Sequence, residues 1–445
     1  MHTLEQLRSG ALAGATRVKL ACGLTEFPRE IFDLADSLEI LDLSGNALSA
    51  LPNDLPRLHK LRILFCSDNQ FTELPAVLGQ CQQLTMVGFK ANQIRRVPAD
   101  ALPRGLRWLI LTDNQVQALP AEIGDCTQLQ KLMLAGNQLH SLPAELAHCT
   151  RLELVRIAAN RLTEFPAVLL TLPRLAWLAF ADNPFCAALE TTALNNTATT
   201  GLAWMRLQMG HVLGEGASGV IHHAHLHGLS LGAAPQPVAV KLFKGAVTSD
   251  GLPQCEMAAC MRAGVHRHLI PVLGRVVHHP SGVNGLVMEL IETEFVNLAG
   301  PPSLDSCTRD VYAPNQEFGA SVLLGIARGM ASAAQHLHAQ GLMHGDLYAH
   351  NILHNGQGVA LLGDFGAASF YAPEDAALAN ALQRIEVRAF ACLLEELLVH
   401  SPGLSGESAL YQGLAQLRNQ CFADDGATRP LFHEIEQTLR DLMPD

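Results

Sequence analysis

The stretch HGDLYAHN, residues 344–351, holds Asp346 and, five places on, Asn351; thirteen residues further the triplet DFG supplies Asp364. Two carboxylates and a carboxamide this close in sequence offer oxygen ligands suited to a hard cation such as Mg²⁺. Towards the N-terminus, VAVK ends in Lys241, and LGEGASGV (213–220) sets Gly214, Gly216 and Gly219 in one loop. Glycines without Cβ let backbone N–H groups close over phosphates that a side chain would hold off. Towards the C-terminus, APE ends in Glu374 and CFADDGATRP carries Arg429. A lone GxGxxG is weak; six motifs in this order are a strong signal.

Taken together, these motifs resemble a eukaryotic-type protein kinase, over the second half of the chain. The resemblance implies an ATP- and Mg²⁺-dependent phosphoryl transfer. Lys241 would hold the α- and β-phosphates, Glu256 in CEMAACM would aim it, and Asp346 would orient the attacking hydroxyl. Asn351 and Asp364 would hold the metal. The resemblance further places Leu213, Gly214, Glu215, Gly216, Gly219, Ile221, Ala239, Lys241, Glu289 and Ile291 around the nucleotide. Residues 207–445 contain only two lysines, Lys241 and Lys244, so finding one of them in VAVK favours the functional reading over a chance strand lysine. Asp250 is a rival to Glu256 as the lysine's partner. Glu374 and Arg429 resemble a buried ion pair tying the activation segment down, and Glu386 the acid of the long central helix. His344 resembles a packing residue behind the catalytic loop, and Trp204 the tryptophan often found ahead of the first kinase strand.

Departures from the pattern carry information too. Gly345 stands where the family has an arginine that receives a loop phosphate. DFGAASFYAPE is very short and leaves only Ser369 and Tyr371 as hydroxyls between its two motifs. Tyr348 occupies the place of a lysine near the γ-phosphate, and His350 stands where some tyrosine kinases carry arginine. The expected function is a protein kinase, preferably serine/threonine, not switched by loop phosphorylation. A pseudokinase scaffold is the alternative. HGD with its asparagine also occurs in small-molecule phosphotransferases, which generally lack the APE element and the CxxxDxxxRP terminus.

The first half repeats. Asparagines fall at 46, 69, 92, 114, 137, 160 and 183, in frames such as LEILDLSGNALSALP (38–52), and prolines follow six residues later at 52, 75, 98, 120, 143 and 166. This is similar to the leucine-rich repeat, in which each turn gives a strand, an asparagine bend and a return segment, and stacked turns share one core. A degenerate turn lies near RVKLACGLTEFP. The expected fold is an α/β leucine-rich-repeat solenoid (1–186), a polar linker (187–206) and a bilobal α+β protein kinase domain (207–445). Ile40, Ile63, Met86, Trp108, Lys131, Leu154 and Trp177 form the column facing the concave side. Six of the seven are apolar, which predicts an exposed surface for a protein or peptide partner, unless the kinase domain or the flanking segment covers it.

Composition narrows the partners. A net charge of −12 argues against nucleic acid and anionic membrane. No run reaches the ~18 apolar residues of a membrane span, and MHTLEQLRSG lacks the apolar stretch of a signal peptide. Eleven cysteines without a CxxC pair predict reduced thiols and a cytoplasmic address. Cys81, Cys126 and Cys149 recur at one repeat position as core fillers. His222, His223, His225 and His227 are read as a solvated strand face in preference to a metal site.

Overall fold

The computed structural model describes residues 1–196, 201–216, 218–228, 234–244, 247–248 and 250–442. After a short helix α1 (Leu4–Arg8), eight three-residue strands run parallel in chain order: β1 (Arg17–Lys19), β2 (Ile40–Asp42), β3 (Ile63–Phe65), β4 (Met86–Gly88), β5 (Trp108–Ile110), β6 (Lys131–Met133), β7 (Leu154–Arg156) and β8 (Trp177–Ala179). Equivalent repeat positions pair in register, so Ile40, Ile63, Met86, Trp108, Lys131 and Leu154 stand side by side.

Each asparagine binds its own turn to the preceding one. Asn69 accepts the N–H of Leu48 and donates to the carbonyl of Leu43. Asn92, Asn114, Asn137, Asn160 and Asn183 repeat the arrangement. The side chain thus satisfies buried backbone groups at a bend where no ladder can. The residue before each asparagine has left-handed backbone. Two of these are glycines, Gly45 and Gly136, but Asp68, Ala91, Asp113, Ala159 and Asp182 adopt it as well. Prolines 28, 75, 98, 120, 143 and 166 open the 3-10 turns of the return segments. Those turns stack tightly: a Cβ on Gly79 would fall 2.0 Å from the Asp100 carbonyl oxygen.

The expectation of an exposed apolar column is corrected. Ile63, Met86, Lys131, Leu154 and Trp177 are buried, and Ile40 and Trp108 are half-buried. Parallel strands about 4.8 Å apart stack these side chains upon one another. Lys131 lays its ammonium over the Trp108 ring, 4.6 Å from the centroid, so even the charged member is covered by its stem.

The chain divides into two compact units, Met1–Leu175 with Asn183–Phe185, and Ala176–Asp182 with Cys186–Asp445. The stretch expected as a polar linker begins as helix α2 (Ala187–Asn196). Thr191 and Thr192 return their hydroxyls to the carbonyls of Ala187 and Ala188, so both are satisfied within the helix although such bonding adds nothing to its stability. Residues 197–200 of that stretch lie outside the described residues. A six-stranded sheet follows, built from β9 (Gly201–Ala203), β10 (Leu207–Glu215), β11 (Gly219–Leu226), β12 (Gln236–Phe243), β13 (Val272–Val277) and β14 (Gly285–Glu289), in the order β10-β11-β12-β14-β13-β9. Its core is Leu202, Leu207, Ala224, Val238, Val240, Val276 and Val287. Helix α3 (Pro253–Ala263) precedes β13, with proline at its first position where a missing N–H costs nothing. The remainder is mainly helical: α4 (Ala320–Ala339), α5 (Ala376–Val399), α6 (Ala409–Cys421) and α7 (Phe432–Asp441).

Candidate active site

Strand β12 and helix α3 bring Lys241 and Glu256 together. The lysine Nζ lies 2.5 Å from Glu256 Oε1 and 3.8 Å from Asp364 Oδ1. Fifteen residues separate the pair, and both are buried. Burial works against the ammonium, but Asp364 and Glu256 outweigh it and hold the lysine above its usual pKa. Burial pushes the Glu256 carboxyl up to about 7, with the Lys241 charge pulling the other way. The rival Asp250 is not the lysine's ion-pair partner.

These groups open into a cavity of about 460 Å³. Of the sequence-predicted residues, Leu213, Gly214, Ile221, Ala239, Lys241, Glu256, Glu289, Ile291 and Asp364 line it. Glu215, Gly216 and Gly219 do not; Glu215 pairs with Lys244 on the loop's outer side. A Cβ on Gly219 would meet the Leu242 carbonyl at 2.6 Å, whereas one on Gly214 or Gly216 would meet nothing within 4 Å. The first of these three glycines is therefore not needed for packing, nor the second. Sequence reading missed Val272, Met288 and Leu353, which complete the apolar lining. Their one signal is strand alternation next to named motifs: Met288 precedes Glu289, and Leu353 stands two places after Asn351.

The catalytic stretch is held by a dense set of hydrogen bonds. Asn351 Nδ2 donates to both the carbonyl and Oδ2 of Asp346, each at 2.9 Å, which leaves its Oδ1 available to a cation. Asp364 lies with φ at 54°, and its Oδ1 accepts the N–H of Gly366. His344 packs its ring against Phe365 and lies 3.0 Å from the Gly363 carbonyl, as a packing residue would. His350 is turned to Asp310, which accepts from both its backbone and its ring.

Glu386 is buried beneath this loop. It lies 2.7 Å from His338 Nε2 and accepts the N–H groups of Gly345 and His344. Burial opposes its charge, yet His338 and those N–H groups hold the carboxyl below its usual range. The expected Glu374–Arg429 ion pair does not form. Glu374 is exposed, and Arg429 donates to the carbonyls of Ala423 and Arg384. So short a segment leaves Glu374 at the surface, and a guanidinium can be satisfied by carbonyls alone.

The departures from the kinase pattern are explained by one element, residues 176–182. Trp177 stacks on Tyr348, with ring centroids 4.1 Å apart and planes 7° from parallel. Its indole N–H donates to the Leu347 carbonyl, and Phe180 donates its N–H to Ser369 Oγ. Gly345 has φ of +74°, and a Cβ there would fall 2.5 Å from the Leu178 carbonyl and 2.6 Å from that of Ala367. An arginine has no room. Ser369 and Tyr371 are both buried, so neither hydroxyl is offered to solvent.

Comparison with known proteins agrees with this geometry. Residues 207–396 match the model of the protein tyrosine and serine/threonine kinases, and residues 37–58 match the leucine-rich repeat. Residues 207–396 thus form a protein kinase domain, and a leucine-rich repeat lies ahead of it. The chain is 26% identical over 199 residues to fibroblast growth factor receptor 1 of Xenopus laevis, across 43% of its own length and 24% of the receptor's. The chain thus spans about a quarter of that relative. A leucine-rich-repeat protein of Leptospira interrogans is 30% identical over 36% of this chain and 47% of that one, with a TM-score of 0.30. Among the described residues, no helix is long and apolar enough to cross a membrane.

Proposed function

We propose that this chain transfers the γ-phosphate of ATP to a protein hydroxyl, preferably serine or threonine. The observation that carries the reading is the buried Lys241–Glu256 pair, formed at the wall of a cavity with Asp364 3.8 Å from the lysine. Leu213, Ile221, Ala239 and Leu353 offer apolar walls to an adenine, and the strand end at Glu289 to Ile291 offers backbone donors and acceptors. Gly214 and Gly216, bare of any packing requirement, let backbone N–H groups approach phosphate. Glu256 fixes the Lys241 ammonium beside the α- and β-phosphates.

The donor set fits Mg²⁺: Asp364 and the Oδ1 of Asn351 are hard oxygen ligands. The metal, when bound, neutralises charge on the transferred group. Asp346, oriented by the two hydrogen bonds from Asn351, accepts the proton of the attacking hydroxyl. The preference for a protein acceptor over a small molecule rests on the resemblance of the helical portion to protein kinases, in which Glu386 lies buried beneath the loop of Asp346. The eleven free cysteines suit a reducing cytoplasm, where the repeats would engage a protein or peptide. Radiolabelled ATP tests the reading: incorporation into protein by the wild type, and loss of it in Asp346→Asn, is the expected result. Equal background from both overturns it.

A second reading, a restrained kinase acting chiefly as a scaffold, is favoured by Trp177 lying flat on Tyr348 two residues from Asp346. In it, control passes through residues 176–182 rather than through loop phosphorylation, and a partner that frees Trp177 raises turnover.

A further inference from the structure

Helix α2 and helix α3 meet over an unusual set of side chains. Asp182, Glu190 and Cys255 place their ligand atoms within 4.8 Å of one another. Glu190 is buried, and its Oε1 accepts the Asp182 N–H at 2.8 Å and the Cys186 thiol at 3.3 Å. Cys255 is 6% exposed, and its thiol, directed at the two carboxyls, makes no hydrogen bond. The anionic forms of all three groups are disfavoured. Burial raises the Asp182 and Glu190 carboxyls, and burial with the neighbouring Glu190, Asp182 and Cys186 raises the Cys255 thiol well above its usual range.

Buried acids are costly unless paired or bound to a metal. Two carboxyls and a thiol with their ligand atoms within 4.8 Å of one another have the composition for a metal site. We propose that Asp182, Glu190 and Cys255 form a zinc site that clasps helix α2 and the segment before it to helix α3. Thiolate with carboxylate suits Zn²⁺ better than the harder Mg²⁺ or Ca²⁺. Metal–ligand bonds of about 2.0–2.3 Å put tetrahedral ligands roughly 3.3–3.8 Å apart, so the three atoms need close by only about an ångström. Binding releases the thiol proton, which a raised thiol makes pH-dependent.

The location gives the site a consequence. The residue following Cys255 is Glu256, so a metal held there fixes the helix that aims Lys241. The full chain, purified without chelator, is expected to carry about one zinc per molecule. Exchange with Co²⁺ should give the near-ultraviolet band of cobalt bound to thiolate. Cys255→Ser and Glu190→Gln, each confirmed folded by circular dichroism, should weaken binding at least about tenfold, and Cys255→Ser should also abolish the cobalt–thiolate band. No thiolate band in wild type saturated with Co²⁺ overturns the proposal without recourse to any variant. So does unchanged metal content in folded Cys255→Ser and Glu190→Gln.

Discussion

The two sides of the proposed catalytic cleft, one for nucleotide and one for acceptor, answer to different pressures. On the nucleotide side, Lys241, Glu256 and Asp364 sit where the kinase pattern puts them, around an open cavity of about 460 Å³. On the acceptor side almost every departure occurs: Gly345, Tyr348, and a segment from Asp364 to Glu374 whose two hydroxyls are buried. The contrast teaches that the departures are not scattered losses. Trp177, Leu178 and Phe180 touch Tyr348 and Leu347, Gly345, and Ser369 in turn. A single packed strand accounts for Gly345, Tyr348 and Ser369 together.

The largest effect expected is on the intact side of that contrast. Asp346→Asn should lower phosphoryl transfer by about 10²–10⁴-fold with the circular dichroism unchanged, because Asn351 can still hydrogen-bond to the side chain at 346. Next comes the packed side. Gly345→Ala puts a Cβ against two carbonyls at a left-handed backbone position, and should cost about 2–3 kcal/mol in denaturant unfolding. A loss under about 0.5 kcal/mol, the scatter of ordinary surface changes, would show that residues 176–182 do not constrain the loop. Trp177→Ala removes the stack on Tyr348 while leaving the nucleotide side untouched. Turnover should rise by about 5–150-fold, the range of a coupling of about 1–3 kcal/mol; a fall would make the tryptophan a support rather than a restraint.

A pH profile sharpens the nucleotide side. The Glu256 carboxyl has its folded pKa raised to about 7 from 4.5. The folded state therefore takes up a proton more readily than the unfolded chain. The stability this contributes is fully present below about 4.5 and is lost as pH rises through about 7. The charged pair with Lys241 follows the opposite course, so turnover should fall about tenfold per unit below pH 7. Glu256→Gln should give a low profile without that inflection. The smallest effect lies in the repeats. Ala91 and Ala159 hold left-handed backbone, which costs an L-residue about 1–2 kcal/mol. Glycine at either should raise stability by about 0.5–1 kcal/mol after its own entropic cost, as read from the unfolding midpoint.

How much of this was legible follows from the reach of each interaction. The asparagine spacing disclosed the solenoid because one short frame repeats and each side chain serves its nearest neighbours. The nucleotide side was legible because its groups sit in contiguous motifs. The Lys241–Glu256 pair needed only a strand followed by a helix. Trp177 was misjudged as exposed because its partner, Leu347, lies 170 residues away, and no spacing encodes that. Glu374 was expected to meet Arg429, but a guanidinium surrounded by carbonyls does not require a carboxylate. The polar run after Phe185 hid a helix because threonine is a poor helix former, and packing against helix α3 is not encoded in its spacing.

The asparagine ladder also has a direction, and synthesis from the N-terminus runs against it. Asn69 closes the turn containing Leu48, Asn92 the one containing Phe71, and so on to Asn183, which closes the turn containing Leu162. A turn leaving the ribosome cannot be finished until its successor has emerged as well. With some 23 residues per turn, and about 5–20 residues added each second, each must wait about 1–5 s. Growth of the nascent solenoid should therefore advance one turn behind the chain, with its newest bend always held open.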